Sequence, residues 1–126
     1  MGVGTPKDLF EAIEHGIDMF DCSHATRLAR HANFYDETGR HHIKNSKYKS
    51  DSKPLQKGCK CYACQNFSKS YIRHLMMEEE MLGPRLLTIH NLHFLLDLMS
   101  QIRASISDDK FLVLKKKFFS KFKSLV

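Results

Sequence analysis

The sequence predicts an α/β fold in which one β/α unit leads into a mostly helical region built on a metal site. Three observations carry that prediction. A capped helix is followed by a short apolar run ending in an acid, three cysteines fall within six residues, and apolar residues keep helical spacing through the C-terminal third.

The first helix is announced by Thr5-Pro6-Lys7-Asp8. Thr5 suits the cap, Pro6 the first helical position, and Asp8 the positive end of the helix dipole. Leu9, Phe10 and Ile13 give this helix one apolar face, and Gly16 is a natural stop. Ile17-Asp18-Met19-Phe20 then reads as a short buried strand with Asp21 at its C-terminal end. That order makes one repeat of a β/α architecture, in which strand ends carry the chemistry.

Between Cys22 and Gly58 the periodicity fades. Asp36-Glu37-Thr38-Gly39 predicts a turn within a hairpin continuing through Ile43, followed by a polar, basic loop. Beyond the cysteines, Phe67, Tyr71 and Leu75, with Ile72 and Met76, have helical spacing, and Gly83-Pro84 is expected to break that helix. A second long helix is predicted from about Leu86 to Ser105, with Ile89, Leu92, Leu95, Leu96, Met99, Ile102 and Ile106 on a broad apolar face. Ser107-Asp108-Asp109 starts a last helix with Phe111, Leu114, Phe118 and Phe122 inward, its lysines forming a solvated face. No internal repeat is present.

At 126 residues the chain suits one modest domain. No apolar run is long enough to span a bilayer. The first six residues lack a basic segment followed by an apolar one, and Pro6 breaks the myristoylation pattern, so the expected location is cytoplasmic. Lys and Arg outnumber Asp and Glu by 20 to 14, and the excess is uneven. From Arg40 to Lys60 there are seven basic residues and one acid, Asp51, a block that attracts polyanions, with nucleic acid the first candidate.

Cys59-Lys60-Cys61-Tyr62-Ala63-Cys64 offers three thiolates, and a tetrahedral zinc needs a fourth ligand. His90 and His93, three apart on the predicted long helix, are both candidates, and chemistry alone leaves the choice open. Three thiolates and one imidazole close the coordination shell, so the expected metal is structural and not hydrolytic.

Met1-Gly2-Val3-Gly4-Thr5-Pro6, Gly16-Ile17-Asp18-Met19-Phe20-Asp21-Cys22, Thr26-Arg27, Ile43-Lys44-Asn45, the Cys-x-Cys-x-x-Cys cluster and Leu86-Leu87-Thr88-Ile89-His90-Asn91 stand together in order and spacing. In this the chain resembles tRNA-guanine transglycosylases, closest to the bacterial type, over nearly its whole length. The resemblance implies the C-terminal portion of an irregular (β/α)8 TIM barrel with a mostly helical zinc-binding subdomain. It divides the chain, all one domain fragment, into 1–34, the last barrel β/α elements with the nucleophile loop; 35–107, the basic loop, hairpin and zinc-binding subdomain; and 108–126, the C-terminal helix.

The resemblance further implies exchange of the wobble guanine of tRNA for a 7-deazaguanine, a queuosine precursor or queuine. It assigns the nucleophile to Asp21, which forms a covalent ribosyl ester as carboxylates do in retaining glycosidases. One structural zinc per chain is assigned to Cys59, Cys61, Cys64 and His90. Contacts to the tRNA anticodon region fall on Arg27 and Arg30, and the base pocket is lined by Met1 and Gly2. A homodimer contact falls on Phe67, Tyr71 and His74.

The chain departs from the family pattern at Ser23-His24-Ala25, where the family reads Val-Leu-Pro, at His31-Ala32, where it reads Asn-Gly, and at His41-His42, a segment usually apolar. The family's acid/base aspartate and its other base-recognition groups belong to earlier barrel strands. The chain alone is therefore expected to be inactive, needing an N-terminal barrel fragment as partner. The alternative is a non-catalytic, zinc-bearing, RNA-binding remnant of such an enzyme.

Overall fold

The computed structural model describes residues 1–123; the last three residues of the predicted C-terminal segment lie outside them. Six helices and one hairpin follow in the order α1 (Pro6–Glu14), α2 (His24–Arg30), β1 (Asn33–Asp36), β2 (Gly39–His42), a 3-10 turn (Ser46–Tyr48), α3 (Tyr62–Asn66), α4 (Lys69–Met77), α5 (Leu82–Ser107) and α6 (Phe111–Lys121).

α1 starts as its sequence dictates. The Thr5 hydroxyl accepts from the Asp8 N–H at 3.1 Å, the Asp8 carboxylate accepts from the Thr5 N–H at 3.1 Å, and Pro6 occupies the first turn. Past its end, Gly16 takes φ +90°, a conformation open to glycine at little cost. The hairpin also forms as its turn residues predict, with antiparallel pairs from Asn33–His42 to Asp36–Gly39. Its turn is pinned by the Asp36 carboxylate, which accepts from the Thr38 N–H at 2.7 Å. After α6 the chain returns to this turn, where the Lys123 N–H donates to the Thr38 carbonyl at 2.9 Å.

The predicted strand at Ile17–Phe20 does not form. Ile17 is 49% and Met19 86% exposed, and no strand pairs with this run among the described residues. Apolar content alone does not make a strand, because its N–H and C=O groups need a neighbouring strand to pair with. One backbone bond lies just beyond the run, from the Gly2 N–H to the Asp21 carbonyl at 2.7 Å. The described fold is thus mixed helix and strand, with one two-stranded sheet.

Gly83-Pro84 also differs from expectation: it lies in the first turn of α5 instead of separating two helices. Proline is tolerated there because the N–H groups of a first turn have no intrahelical acceptor. Gly83 is buried against α4, where a β-carbon would stand 2.8 Å from the Met76 sulfur.

α5 is the spine. Towards its start Leu86 and Leu87 are fully buried with Ala29, Phe34, Ile43, Leu55 and Ile72, the cluster that surrounds the cysteines. Further along, Leu98 and Ile102 pack with Leu9 and Phe10 of α1 and with Phe111, Phe118 and Phe119. The Phe10 ring lies 5.0 Å from that of Phe118. An ion pair between Glu14 and Lys115 closes the same contact. Between these clusters Leu28, Tyr35, Phe94 and Phe122 join α2, the hairpin, α5 and the end of α6. Ala32, where the resemblance expects glycine, closes α2 at φ +60°, a left-handed conformation that costs a residue with a β-carbon about 1–2 kcal/mol.

Candidate metal centre and the Asp21 segment

Cys59, Cys61, Cys64 and His90 meet in one cluster, their ligand atoms all within 4.8 Å of one another. Local structure explains how three sequence neighbours converge. Gly58 turns the chain at φ +79° and delivers Cys59. Cys61 caps α3, its sulfur accepting from the Cys64 N–H at 3.4 Å, so that Cys64, one helical turn on, faces the same point. α5 brings His90 from the other side, with Nδ1 at 3.7, 3.6 and 3.3 Å from the sulfurs of Cys59, Cys61 and Cys64. A tetrahedron with metal–sulfur bonds of ~2.3 Å and metal–nitrogen bonds of ~2.0 Å has edges of about 3.5–3.8 Å. The donor set therefore fits one metal ion.

The electrostatics fit a cation as well. A hydrogen bond from Cys64 holds the Cys61 thiol well below its usual range, against the opposing effect of burial. Cys64 is pushed up, first by that hydrogen bond and then by burial and the charge on Cys61. Burial pulls His90 down, yet its contacts with Cys59, Cys61 and the Tyr35 backbone outweigh this and hold it at about 9. Successive thiolates thus oppose each other until a positive charge sits among them.

The far side of the ring is also fixed. His90 Nε2 donates to the Tyr35 carbonyl at 2.6 Å, which leaves Nδ1 as the ligand atom, as an outer partner does for metal-bound histidines. His93, the other histidine open at the sequence level, is not in the cluster. It lines a cavity of about 300 Å³ with Phe94, Asp97, Lys117 and Lys121.

The residues expected to carry chemistry and RNA contact lie elsewhere, on the surface. Asp21, Arg27 and Arg30 are exposed, as are Met1 and Gly2. Gly2 and Asp21 are brought together by their backbone bond, and next to it Gly4 lies so close to Cys22 that a β-carbon on Gly4 would stand 2.5 Å from Cys22 Cβ. α2 begins three residues after Asp21 and carries Arg27 and Arg30 one turn apart. The side chains of Phe67 and Tyr71 stack at 5.5 Å, with Tyr71 and His74 exposed.

In the basic loop Lys44, Lys47, Lys49, Lys53, Lys57 and Lys60 are all exposed. Asp51, its one acid, is taken up by Lys69 at 3.4 Å.

Sequence reasoning missed three supporting residues. Tyr35 is one; its hydroxyl meets His24 Nε2 at 2.6 Å. Burial pushes Tyr35 up to about 12, while burial and then the charges of Arg27 and Arg40 push His24 down, so the tyrosine donates and a neutral imidazole accepts. Asn91, fully buried, is the third. Its place beside His90 was the available signal.

Residues 1–124 match the sequence model of the queuine tRNA-ribosyltransferase family. Among relatives bearing that name, the chain is 52% identical over 122 residues to a protein of Dictyoglomus turgidum, covering 97% of this chain and 31% of that protein. To relatives from Fusobacterium nucleatum and Staphylococcus haemolyticus it is 48% and 52% identical, each over 97% of this chain, covering 33% and 32% of theirs. The chain thus spans about a third of the length of the curated relatives it matches. No described helix is long and apolar enough to cross a membrane. With four donors of the expected ligand set brought together and a match from end to end of the described chain, this protein belongs to the queuine tRNA-ribosyltransferase family.

Proposed function

We propose that this chain is the C-terminal part of a tRNA-guanine transglycosylase, a pentosyltransferase that exchanges the wobble guanine of tRNA for a 7-deazaguanine in the cytoplasm. Asp21 attacks C1′ of the ribose, the bond to guanine breaks, and guanine leaves with a proton from a group outside this chain. The resulting ribosyl ester keeps the tRNA attached until N9 of a 7-deazaguanine bonds to C1′, the ester bond breaks to free the Asp21 carboxylate, and the N9 proton returns to the same outside group. A carboxylate suits both steps because it stabilises oxocarbenium character before bonding to it.

The observation that supports this reading most is the bond from the Gly2 N–H to the Asp21 carbonyl. It sets Met1-Gly2 beside Asp21, with Arg27 and Arg30 on the short helix that follows, which supports the roles of pocket lining, nucleophile and anticodon contact assigned here. In this reading residues 1–34 belong to the last β/α elements of a (β/α)8 barrel, and the exposed Ile17 and Met19 belong to a strand completed by an N-terminal barrel fragment. Residues 35–107 form the zinc subdomain and 108–126 the C-terminal helix.

The metal is zinc, held by Cys59, Cys61, Cys64 and His90; it supplies a structural cross-link with no open position for substrate. The exposed lysines of the basic loop extend the RNA surface by phosphate attraction, so tRNA affinity falls steeply with salt. The stacked Phe67 and Tyr71, with His74, form the homodimer contact.

The exposure of Asp21 favours one second reading, a non-catalytic zinc-bearing RNA-binding remnant. Incorporation of labelled guanine into tRNA separates the two. The chain alone gives none, the chain completed by an N-terminal barrel fragment gives exchange, and Asp21→Ala abolishes it. tRNA binding without exchange in the completed protein would select the remnant.

A further inference from the structure

Asn91 is fully buried and uses both ends of its amide. Its Oδ1 accepts from the Tyr35 N–H at 3.2 Å, while Nδ2 donates to the carbonyls of Ala25 at 3.2 Å and Asn33 at 3.0 Å. His90, one residue earlier, donates to the Tyr35 carbonyl. Two successive residues of α5 therefore hold both polar backbone groups of Tyr35, and the second also reaches the first turn of α2. From the other side the Tyr35 hydroxyl meets His24, at the start of α2. The same short stretch of α5 thus supplies a metal ligand and a direct polar tie to α2.

We infer that Asn91 is a positioning residue, fixing α2, with Arg27, Arg30 and the adjoining Asp21 segment, against the helix that supplies His90. The functional consequence rests on the reading of Asp21, Arg27 and Arg30 proposed above. The chemistry explains the residue type, since an amide offers an acceptor and two donors on a short, rigid arm. Asp at this place would turn a carboxylate towards two carbonyl oxygens, and an apolar residue would leave the buried Tyr35 N–H without its acceptor. α2 spans only seven residues, too few to be stable without support from its neighbours. The stretch of α5 that carries His90 then holds the helix carrying Arg27 and Arg30 in place through Asn91.

The test uses Asn91→Ala and Asn91→Asp in the full zinc-loaded chain, reading zinc content, residue-resolved amide exchange and tRNA affinity. Both variants keep one equivalent of zinc. Amides of residues 24–30 exchange about tenfold faster or more, while those of α3 and α4 keep their protection. tRNA affinity falls several-fold, with a shallower salt dependence as Arg27 and Arg30 lose their fixed placement. Unchanged exchange in α2 with zinc retained would overturn the inference. So would loss of zinc, or equal loosening of α2, α3 and α4 in both variants, because Asn91 would then serve the core in general. If the unaltered chain fails to bind tRNA, the reading of the arginines fails, while the exchange pattern still decides the coupling.

Discussion

Around His90 every element has a partner within the chain. The ring is buried, one nitrogen faces three thiols and the other is bonded to Tyr35. Around Asp21 the side chain is exposed, and the segment is held by one backbone bond to Gly2, by packing of Gly4 on Cys22 and by Phe20 against the Leu9 and Phe10 cluster. A metal site needs four donors at one point, and a fold of this size can converge on that alone. A nucleophile must be held dry and oriented against groups that assist the leaving base, and under the proposed function Asp21 would meet those groups from outside this chain. The four donors of the first region all come from this chain, and under the proposed function the second needs groups from outside it.

The comparison breaks most visibly if the metal centre is removed. Cys61→Ala is expected to take metal content from one equivalent to near zero and to melt much of α3 to α5, as metal binding and folding are coupled in small sites. His90→Ala should do the same, and His93→Ala should leave metal content unchanged, because His93 is not among the four donors that meet. Metal analysis with circular dichroism checks all three.

Changing the pH sharpens the contrast. Without metal His90 holds its proton up to about 9, and that proton must leave before Nδ1 can bind. Zinc affinity should therefore fall as the solution is acidified below that value, about tenfold per pH unit for each proton displaced from His90 and the thiols. A competitive chelator titration from pH 6 to 9 measures the slope, and a flat profile would contradict a site built of thiolates and imidazole.

In the Asp21 segment the expected effect is smaller and local. Gly4→Ala places a β-carbon against Cys22 and should cost about 1–3 kcal/mol in protection of residues 2–22, leaving zinc binding intact. Cys22→Gly should rescue it and Cys22→Ala should not, since alanine keeps the offending Cβ. Amide exchange of the single and double variants decides this. The smallest effect belongs to the link between the two regions. Tyr35→Phe removes the hydroxyl that meets His24 and should lower stability by about 1 kcal/mol, read by thermal unfolding.

What the sequence revealed follows the range of the interactions involved. The cap at Thr5-Pro6-Lys7-Asp8 and the hairpin turn at Asp36 form within a few residues, and both were legible. So were the three clustered thiols. The fourth ligand was not fixed by spacing, because His90 and His93 lie on one helix and only packing shows which one turns to the cysteines. The run Ile17–Phe20 forms no strand among the described residues because a strand is defined by neighbours, which composition does not supply. Gly83-Pro84 was taken for a break when its proline sits in a first turn that accepts it. Asn91 and Tyr35 stayed hidden because their hydrogen bond joins positions 56 residues apart.

The most direct test of the account is whether the Asp21 carboxylate bonds to tRNA. The chain would be incubated with tRNA, with and without an N-terminal barrel fragment, then quenched and run on a denaturing gel. The account predicts a covalent chain–tRNA adduct only when the fragment is supplied, lost in Asp21→Ala, and mapping by mass spectrometry to the peptide that contains Asp21. An adduct that persists in Asp21→Ala, or one formed equally well by the chain alone, would contradict it.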